Sequence, residues 1–255
     1  VSWMHCTMHD AKEAALGFRN TREAAAGYGR MDAMAFVSRA VQDAFLKSCP
    51  YPGRCEVLYN TNDSGRILAL GGEPARLPEG QFLWCGVGKL EDVKGFDRMI
   101  RIQARLRQEG FDVRLLILGE GSRRAELEAL TASCGVSDSV SFLGYQTNPY
   151  KYVAKCDLFV CASFAEGFST AATEALIVGT PVCTVEVSGM KEMLGSHNEY
   201  GIVTENDDEA LYQGIKKLLD NPELLEHYRH QAALRGKDFR TEETVKAVEQ
   251  MLLAL

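Results

Sequence analysis

From about residue 80 onward the chain alternates short apolar runs with amphipathic helical stretches, and this alternation restricts the fold more than any other feature. The runs are FLWCGVG (82–88), VRLLILG (113–119), VSFLGY (140–145), DLFVCAS (157–163), PVCTV (181–185) and GIVT (201–204). Short strands of this wholly apolar kind belong to parallel sheets covered by helices on both sides. The stretches between them carry the helical period. Phe96, Met99, Ile102 and Leu106 share one face of 94–109, which Gly110 stops, and Leu211, Ile215, Leu218 and Leu219 share a face of 207–219. Asn221 followed by Pro222 opens a further helix. The fold class is α/β, a doubly wound parallel sheet, and ligands of such sheets bind beyond the carboxyl ends of the strands.

Residues 1–75 read differently. VSWMHC, AMAFVS and CEVLYN have strand character and RAVQDAFLK is helical, which is too little for a complete domain. We read this part as a partial second α/β domain at the N-terminus whose front is absent, joined by a Gly/Pro-rich connector at 62–80. The division expected is 1–75, then the doubly wound domain at 76–240. An amphipathic helix at 241–255 would either pack back on the N-terminal part or simply end the chain.

With 46% hydrophobic and 25% charged residues the composition is that of an ordinary globular protein. The net charge of -7 argues against a nucleic-acid partner or a broad surface for anionic lipid. No apolar run has the length of a membrane span. The 8 cysteines form no C-x-x-C, and Cys85, Cys161 and Cys183 lie within strand runs, so reduced buried thiols in a cytoplasmic protein are expected.

Several loops after strands carry chemistry. In CGVGKLEDVKG (85–95) the third glycine of a dinucleotide fingerprint is replaced by Glu91, and a P-loop fails because Leu90 follows Gly88-Lys89. What remains is a glycine turn with Lys89 and then Lys94 at a helix start, a pair suited to a diphosphate or else two solvated lysines. Lys94, Arg98, Arg101 and Arg105 recur at helical spacing, and we expect a solvated face. LGEGSRRAELEAL (118–130) offers a turn at Gly119 and Gly121, with Ser122 as helix cap. Gly144-Tyr145, ending another strand, would suit a nucleobase.

The segment FAEGFSTAATEALIVGTP (164–181) places Glu166 in a loop and Glu174 inside a helix begun at Ser169 or Thr170. Eight residues of helix would rise ~12 Å. Paired glycosidase carboxyl groups lie only about 5–9.5 Å apart, so a hydrolytic pair is disfavoured. Two carboxylates gripping hydroxyls at separate places on a long polyhydroxylated ligand fit better.

The blocks VGKLEDVKGFDRMI, LLILGEGSRRAELEAL, VSFLGY, DLFVCASFAEGFSTAATEALIVGTPV and SGMKEML follow in the order that resembles the retaining GT-B glycosyltransferases of glycosyl transferases group 1. The resemblance covers about residues 80–240, with WMH, FVS and VLYN similar to the end of that family's acceptor domain. It implies a Rossmann-like donor domain that transfers a hexose from a nucleoside diphosphate sugar, UDP favoured, to an acceptor hydroxyl with retention, in bacterial surface polysaccharide or glycan synthesis. On the resemblance, Glu166, Lys89 and Lys94 carry the catalysis, although lysine at 89 replaces the usual arginine and loses its fork. Gly88, Val140, Gly144, Tyr145, Gly167, Phe168, Ser169, Thr170 and Glu174 would bind the donor, Glu174 at the ribose. His5, Met190 and Glu192 are further candidates; His9 is a weaker one. Neither metal nor other cofactor is expected: no Asp-x-Asp is present, and the acidic ENDDEAL (205–211) reads as a helix start. The expected partners are the donor and a saccharide or lipid-linked saccharide acceptor. Membrane association would be peripheral at most, at the inner face and through the absent front part. A nucleotide-sugar epimerase or a glycan phosphorylase on the same fold, and a non-catalytic nucleotide-sugar-binding module, are the alternatives.

Overall fold

The computed structural model describes residues 1–8, 10–79 and 82–255. The His9 candidate and the end of the 62–80 connector fall outside them. The N-terminal part runs β1 (Ser2–Met4), α1 (Thr21–Tyr28), β2 (Ala33–Phe36), α2 (Arg39–Ser48), β3 (Arg54–Val57) and α3 (Ser64–Gly71). Its strands form one parallel sheet in the order β1-β2-β3. The second part runs β4 (Phe82–Val87), α4 (Phe96–Gln108), β5 (Val113–Leu118), α5 (Arg124–Ser133), β6 (Val140–Gly144), α6 (Tyr150–Val153), β7 (Leu158–Cys161) and α7 (Thr170–Ile177). It continues through β8 (Val182–Val185), α8 (Met190–Leu194), β9 (Ile202–Thr204), α9 (Asp208–Leu219), α10 (Pro222–Arg235) and α11 (Thr241–Leu253).

The second sheet is parallel throughout in the order β6-β5-β4-β7-β8-β9. The chain winds outward from β4 in one direction and from β7 in the other, so the topological switch point lies between these two strands. Alternate side chains serve opposite faces. Trp84, Leu115, Ile117 and Val160 pack under Met99 and Leu106 of α4, Leu127 of α5 and Ile215 of α9. Leu83, Cys85, Leu116 and Phe159 pack against Ala172 and Leu176 of α7 and Ala232 of α10. That second core continues into Met34, Phe36 and Phe45 of the N-terminal part. Helix α11 lays Met251 on Ala33, Ala35 and Leu58.

Four details differ from the sequence reading. The connector contains α3, capped by Asp63, whose carboxylate accepts from the Arg66 amide at 3.0 Å. Its apolar face packs on the second part through Ile67, and burial overrides the cost of its glycines. Ser122 is not the cap of α5, which begins two residues later behind Arg123. Lys94 ends a short 3-10 turn, and Gly95, at φ 65°, separates it from α4. Arg98 is no part of a solvated face. It is 3% exposed, with Nε on Asp208 at 2.6 Å, Nη1 on Asn206 Oδ1 at 2.8 Å and the Ala162 carbonyl at 3.0 Å. Arg105 does remain at the surface, stacked over the Tyr212 ring.

Candidate active site

Two adjoining clefts open at the carboxyl end of the second sheet, beside the switch point. The first, of about 350 Å³, is lined by Gly88, Lys89 and Lys94 from the loop after β4, and by Glu166, Phe168, Ser169, Thr170 and Glu174 from the β7–α7 segment. The second, of about 480 Å³, adds Gly119, Glu120, Tyr145 and Tyr150, and shares Gly88, Lys89 and Glu174 with the first. Glu174 thus stands at the junction of the two.

Local chemistry explains how these groups arrive there. Strand β7 ends at Cys161, and the chain then turns through 162–169 before Ser169 caps α7 by accepting from the Ala172 amide at 3.4 Å. The first amides of α7 have no intrahelical acceptor, so they give the cleft mouth a positive end. The loop before the helix is held tightly from the N-terminal part. A Cβ at Gly167 would lie 2.1 Å from the His5 carbonyl oxygen, which only glycine permits. Ser38 Oγ donates to the Gly167 carbonyl at 3.2 Å, and Thr7 Oγ1 reaches Ser188 Oγ at 2.7 Å and the Glu166 carbonyl at 3.3 Å. The Phe168 ring is stacked on Tyr59 at 4.8 Å and tilted on Phe239 at 5.9 Å. Opposite, a Cβ at Gly119 would meet the Gly88 carbonyl at 1.8 Å, so the turns after β4 and β5 touch backbone to backbone.

Glu166 is largely buried. Its Oε1 accepts from Lys94 Nζ at 2.7 Å and from Ser163 Oγ at 2.7 Å, with Cys161 Sγ at 3.8 Å. Burial, and next the neighbouring Glu166 charge, push the Cys161 thiol above its ordinary value. Glu174 is the fifth residue of α7, a little over one turn inside. Burial raises its carboxyl pKa, partly offset by the Tyr150 hydroxyl, which donates to Oε1 at 3.1 Å. Burial and the Glu174 charge push the Tyr150 phenol up to about 12. Lys89, in contrast, has a side chain 79% exposed, and its ion-pair partner among the described residues is Glu91, at 3.8 Å.

The remaining sequence candidates are placed as follows. Gly144, at φ 68°, accepts through its carbonyl from the Gly119 amide at 2.9 Å, beside the second cleft, and Tyr145 at 76% exposure lines that cleft. Val140 does not reach either cleft. It pairs with Leu115 at the amino end of β6, buried in the core, the wrong end of a parallel strand for a ligand. His5 and Gly167 line a further hollow of about 320 Å³, which shares Glu166 and Phe168 with the first cleft, and the His5 ring is stacked on Trp3. Met190 is fully buried. Glu192 is engaged structurally: its carboxylate accepts from the Arg39 amide at 2.7 Å and from the Tyr59 hydroxyl at 3.1 Å, joining α8 to the start of α2. Among the described residues no group of His, Cys, Asp and Glu has the form of a metal site, and no helix is long and apolar enough to cross a membrane.

Sequence reasoning missed Ser163 and Tyr150. Ser163 carried a signal, since it closes the run DLFVCAS at the carboxyl end of a parallel strand. Tyr150 carried none; the four-residue helix α6 brings it to Glu174.

The fold is a doubly wound sheet with lysines and carboxylates gathered at its switch point, where ligands of such sheets bind. Residues 73–235 match the model of the family glycosyl transferases group 1, and the chain belongs to that family. It is 38% identical over 190 residues to the N-acetylgalactosamine-N,N'-diacetylbacillosaminyl-diphospho-undecaprenol 4-alpha-N-acetylgalactosaminyltransferase of Campylobacter jejuni, covering 74% of this chain and 50% of that protein. It is 30% identical over 178 residues to the lipopolysaccharide core biosynthesis glycosyltransferase LpsD of Rhizobium meliloti, covering 70% and 50%. The chain therefore spans about half the length of the curated relatives it matches. Among solved structures, HepE of Anabaena in complex with UDP superposes with a TM-score of 0.81 at 20% identity, over 99% of this chain and 71% of that one. A glycosyltransferase from Rickettsia africae gives 0.77 at 16% identity, over 90% and 66%. These likenesses establish the GT-B architecture of two α/β parts.

Proposed function

We propose that this chain binds a nucleoside diphosphate sugar across the two clefts and transfers its hexose, with retention, to a hydroxyl of a saccharide or lipid-linked saccharide. The observation that carries the reading is the set Tyr145, Glu174, Lys89, Lys94 and Glu166 lining two adjoining clefts that share Gly88, Lys89 and Glu174. It has the polarity of such a donor: an aromatic for the base, a carboxylate for the ribose hydroxyls, cations for the diphosphate, and a carboxylate for the sugar. Residues 76–240 are then the donor part, residues 1–75 belong to the acceptor side, and α11 ties the two. UDP is the favoured nucleotide, since HepE is solved with UDP and with UDP-glucose. The relatives' names favour an undecaprenol-linked or lipopolysaccharide acceptor, hence bacterial surface glycan synthesis in the cytoplasm, with at most peripheral contact with the inner face of the membrane. His5 is proposed to face the donor sugar from the acceptor side.

As the glycosidic bond breaks, negative charge builds on the departing diphosphate. Lys94, Lys89 and the free amides of α7 meet that charge more strongly in the transition state than in the ground state, which is what accelerates the step. In this reading no metal is used. The acceptor oxygen attacks from the face the diphosphate leaves, a diphosphate oxygen takes its proton, and no protein nucleophile is required. Glu166 accepts from sugar hydroxyls and holds the ring in place.

Titration calorimetry with UDP, GDP, ADP and uridine tests the proposal. UDP should bind. Lys94→Ala should weaken UDP by roughly 10- to 100-fold, the value of a hydrogen bond between charged groups, while leaving uridine unchanged. Failure of all three nucleoside diphosphates to bind would sink the reading.

A further inference from the structure

Glu166 holds its neighbours unevenly. Lys94 Nζ and the Ser163 hydroxyl both approach Oε1 at 2.7 Å, and the Cys161 thiol lies 3.8 Å from the same atom. Among the described residues nothing bonds to Oε2. The Glu166 side chain lines the first cleft and is 10% exposed. Ser163 is 1% exposed, and its hydroxyl has one proton to give. Lys94 is the more exposed of the two donors, with a side chain 30% exposed on a long stem. It is also the cation expected to follow the diphosphate.

We propose that Ser163 is a positioning residue that pins Oε1 of Glu166 so that Oε2 faces the hexose of the donor. The inference rests on the function proposed above and deepens it. When Lys94 turns toward the diphosphate, Ser163 keeps the carboxylate from rotating, and Oε2 is presented already oriented to a sugar hydroxyl. Cys161 supports the same oxygen only weakly, since a thiol is a poor donor. Ser163 therefore acts on the sugar end of the donor and not on the nucleotide.

The test is a ratio, Kd for UDP-glucose and for UDP-N-acetylgalactosamine each divided by Kd for UDP, measured by calorimetry. In Ser163→Ala the affinity for UDP should stay within about twofold, and the ratio for the sugar that wild type binds should rise roughly tenfold, the lower value of a hydrogen bond to a charged group. Ser163→Thr, which keeps the hydroxyl, should restore the wild-type ratio. Should the alanine variant fold poorly, Ser163→Thr against Ser163→Val compares one shape with and without the hydroxyl. An unchanged ratio overturns the proposal, and so does an equal loss of UDP and UDP-sugar that threonine fails to rescue. If wild type binds no UDP, the functional reading itself falls and this inference with it. If it binds UDP and the ratio does not move, this inference alone falls.

Discussion

Glu174→Gln should loosen the nucleotide and tighten the fold. The structure places Glu174 partly buried on α7, with burial raising its carboxyl pKa and one hydroxyl, that of Tyr150, accepted at Oε1. A native pKa above the unfolded value means that the native state holds the proton more firmly. Lowering the pH below both values therefore favours folding, and stability is lost as pH rises through the interval between them. Glutamine removes the buried charge and can still accept from Tyr150 through its amide oxygen. The variant should consequently unfold at a higher denaturant concentration than wild type at pH 7–8, and the difference should close toward pH 4. Binding should move the other way. A ribose hydroxyl on a carboxylate is worth ~1.5–3 kcal/mol and on a neutral acceptor ~0.5–1.5, so the loss is about 1–1.5 kcal/mol, or roughly five- to tenfold in Kd for UDP. Urea unfolding against pH gives the first quantity and calorimetry the second. A Glu174→Gln protein less stable than wild type at pH 8, with unchanged UDP affinity, would refute both the burial argument and the ribose assignment.

Two further substitutions test what holds the site in place. Phe168→Ala removes a ring 5% exposed between Tyr59 and Phe239, and should cost about 3–5 kcal/mol in urea unfolding. Because the same ring joins the Glu166 loop to the N-terminal part, UDP-sugar affinity should fall with it; wild-type stability would contradict this anchoring. Arg98→Ala strands the half of the β7–α7 loop that Arg98 holds through the Ala162 carbonyl and leaves Asn206 and Asp208 without their partner. Asp208 itself is largely exposed, so the cost should be about 2–3 kcal/mol, below that of breaking a wholly buried pair. A change within experimental error would return Arg98 to the solvated face that its spacing first suggested.

How much of this was legible in the sequence varies from residue to residue. The strands of the second sheet were readable because each is short, apolar on both faces and closed by a glycine or polar loop, and that pattern has few other solutions. Glu166 and Glu174 were readable because charges among small residues at a strand-to-helix junction have no packing role there. Arg98 was not, since a basic residue at helical spacing carries no mark of the carbonyl and the carboxylate that await it on α9 and β7–α7. Helix α3 was hidden by its glycines, and only the face it lays on α6 and α7 makes it a helix. Val140 was named through the family resemblance, although its run 140–145 already put it at the amino end of a strand, away from where ligands of such sheets bind.

The sequence by itself determined the doubly wound α/β class, the order of its strand runs and the pair of glutamates that flank a helix start, since these follow from local period and turn chemistry. Only the tertiary structure decided that β4 and β7 lie side by side, which is what brings Lys94 to Glu166 across 72 positions of chain. It alone gave Glu174 a partner in Tyr150. The physical reason is that backbone propensity acts over a few residues, whereas hydrogen bonds between loops depend on strand order, and strand order is chosen by burial of the whole sheet.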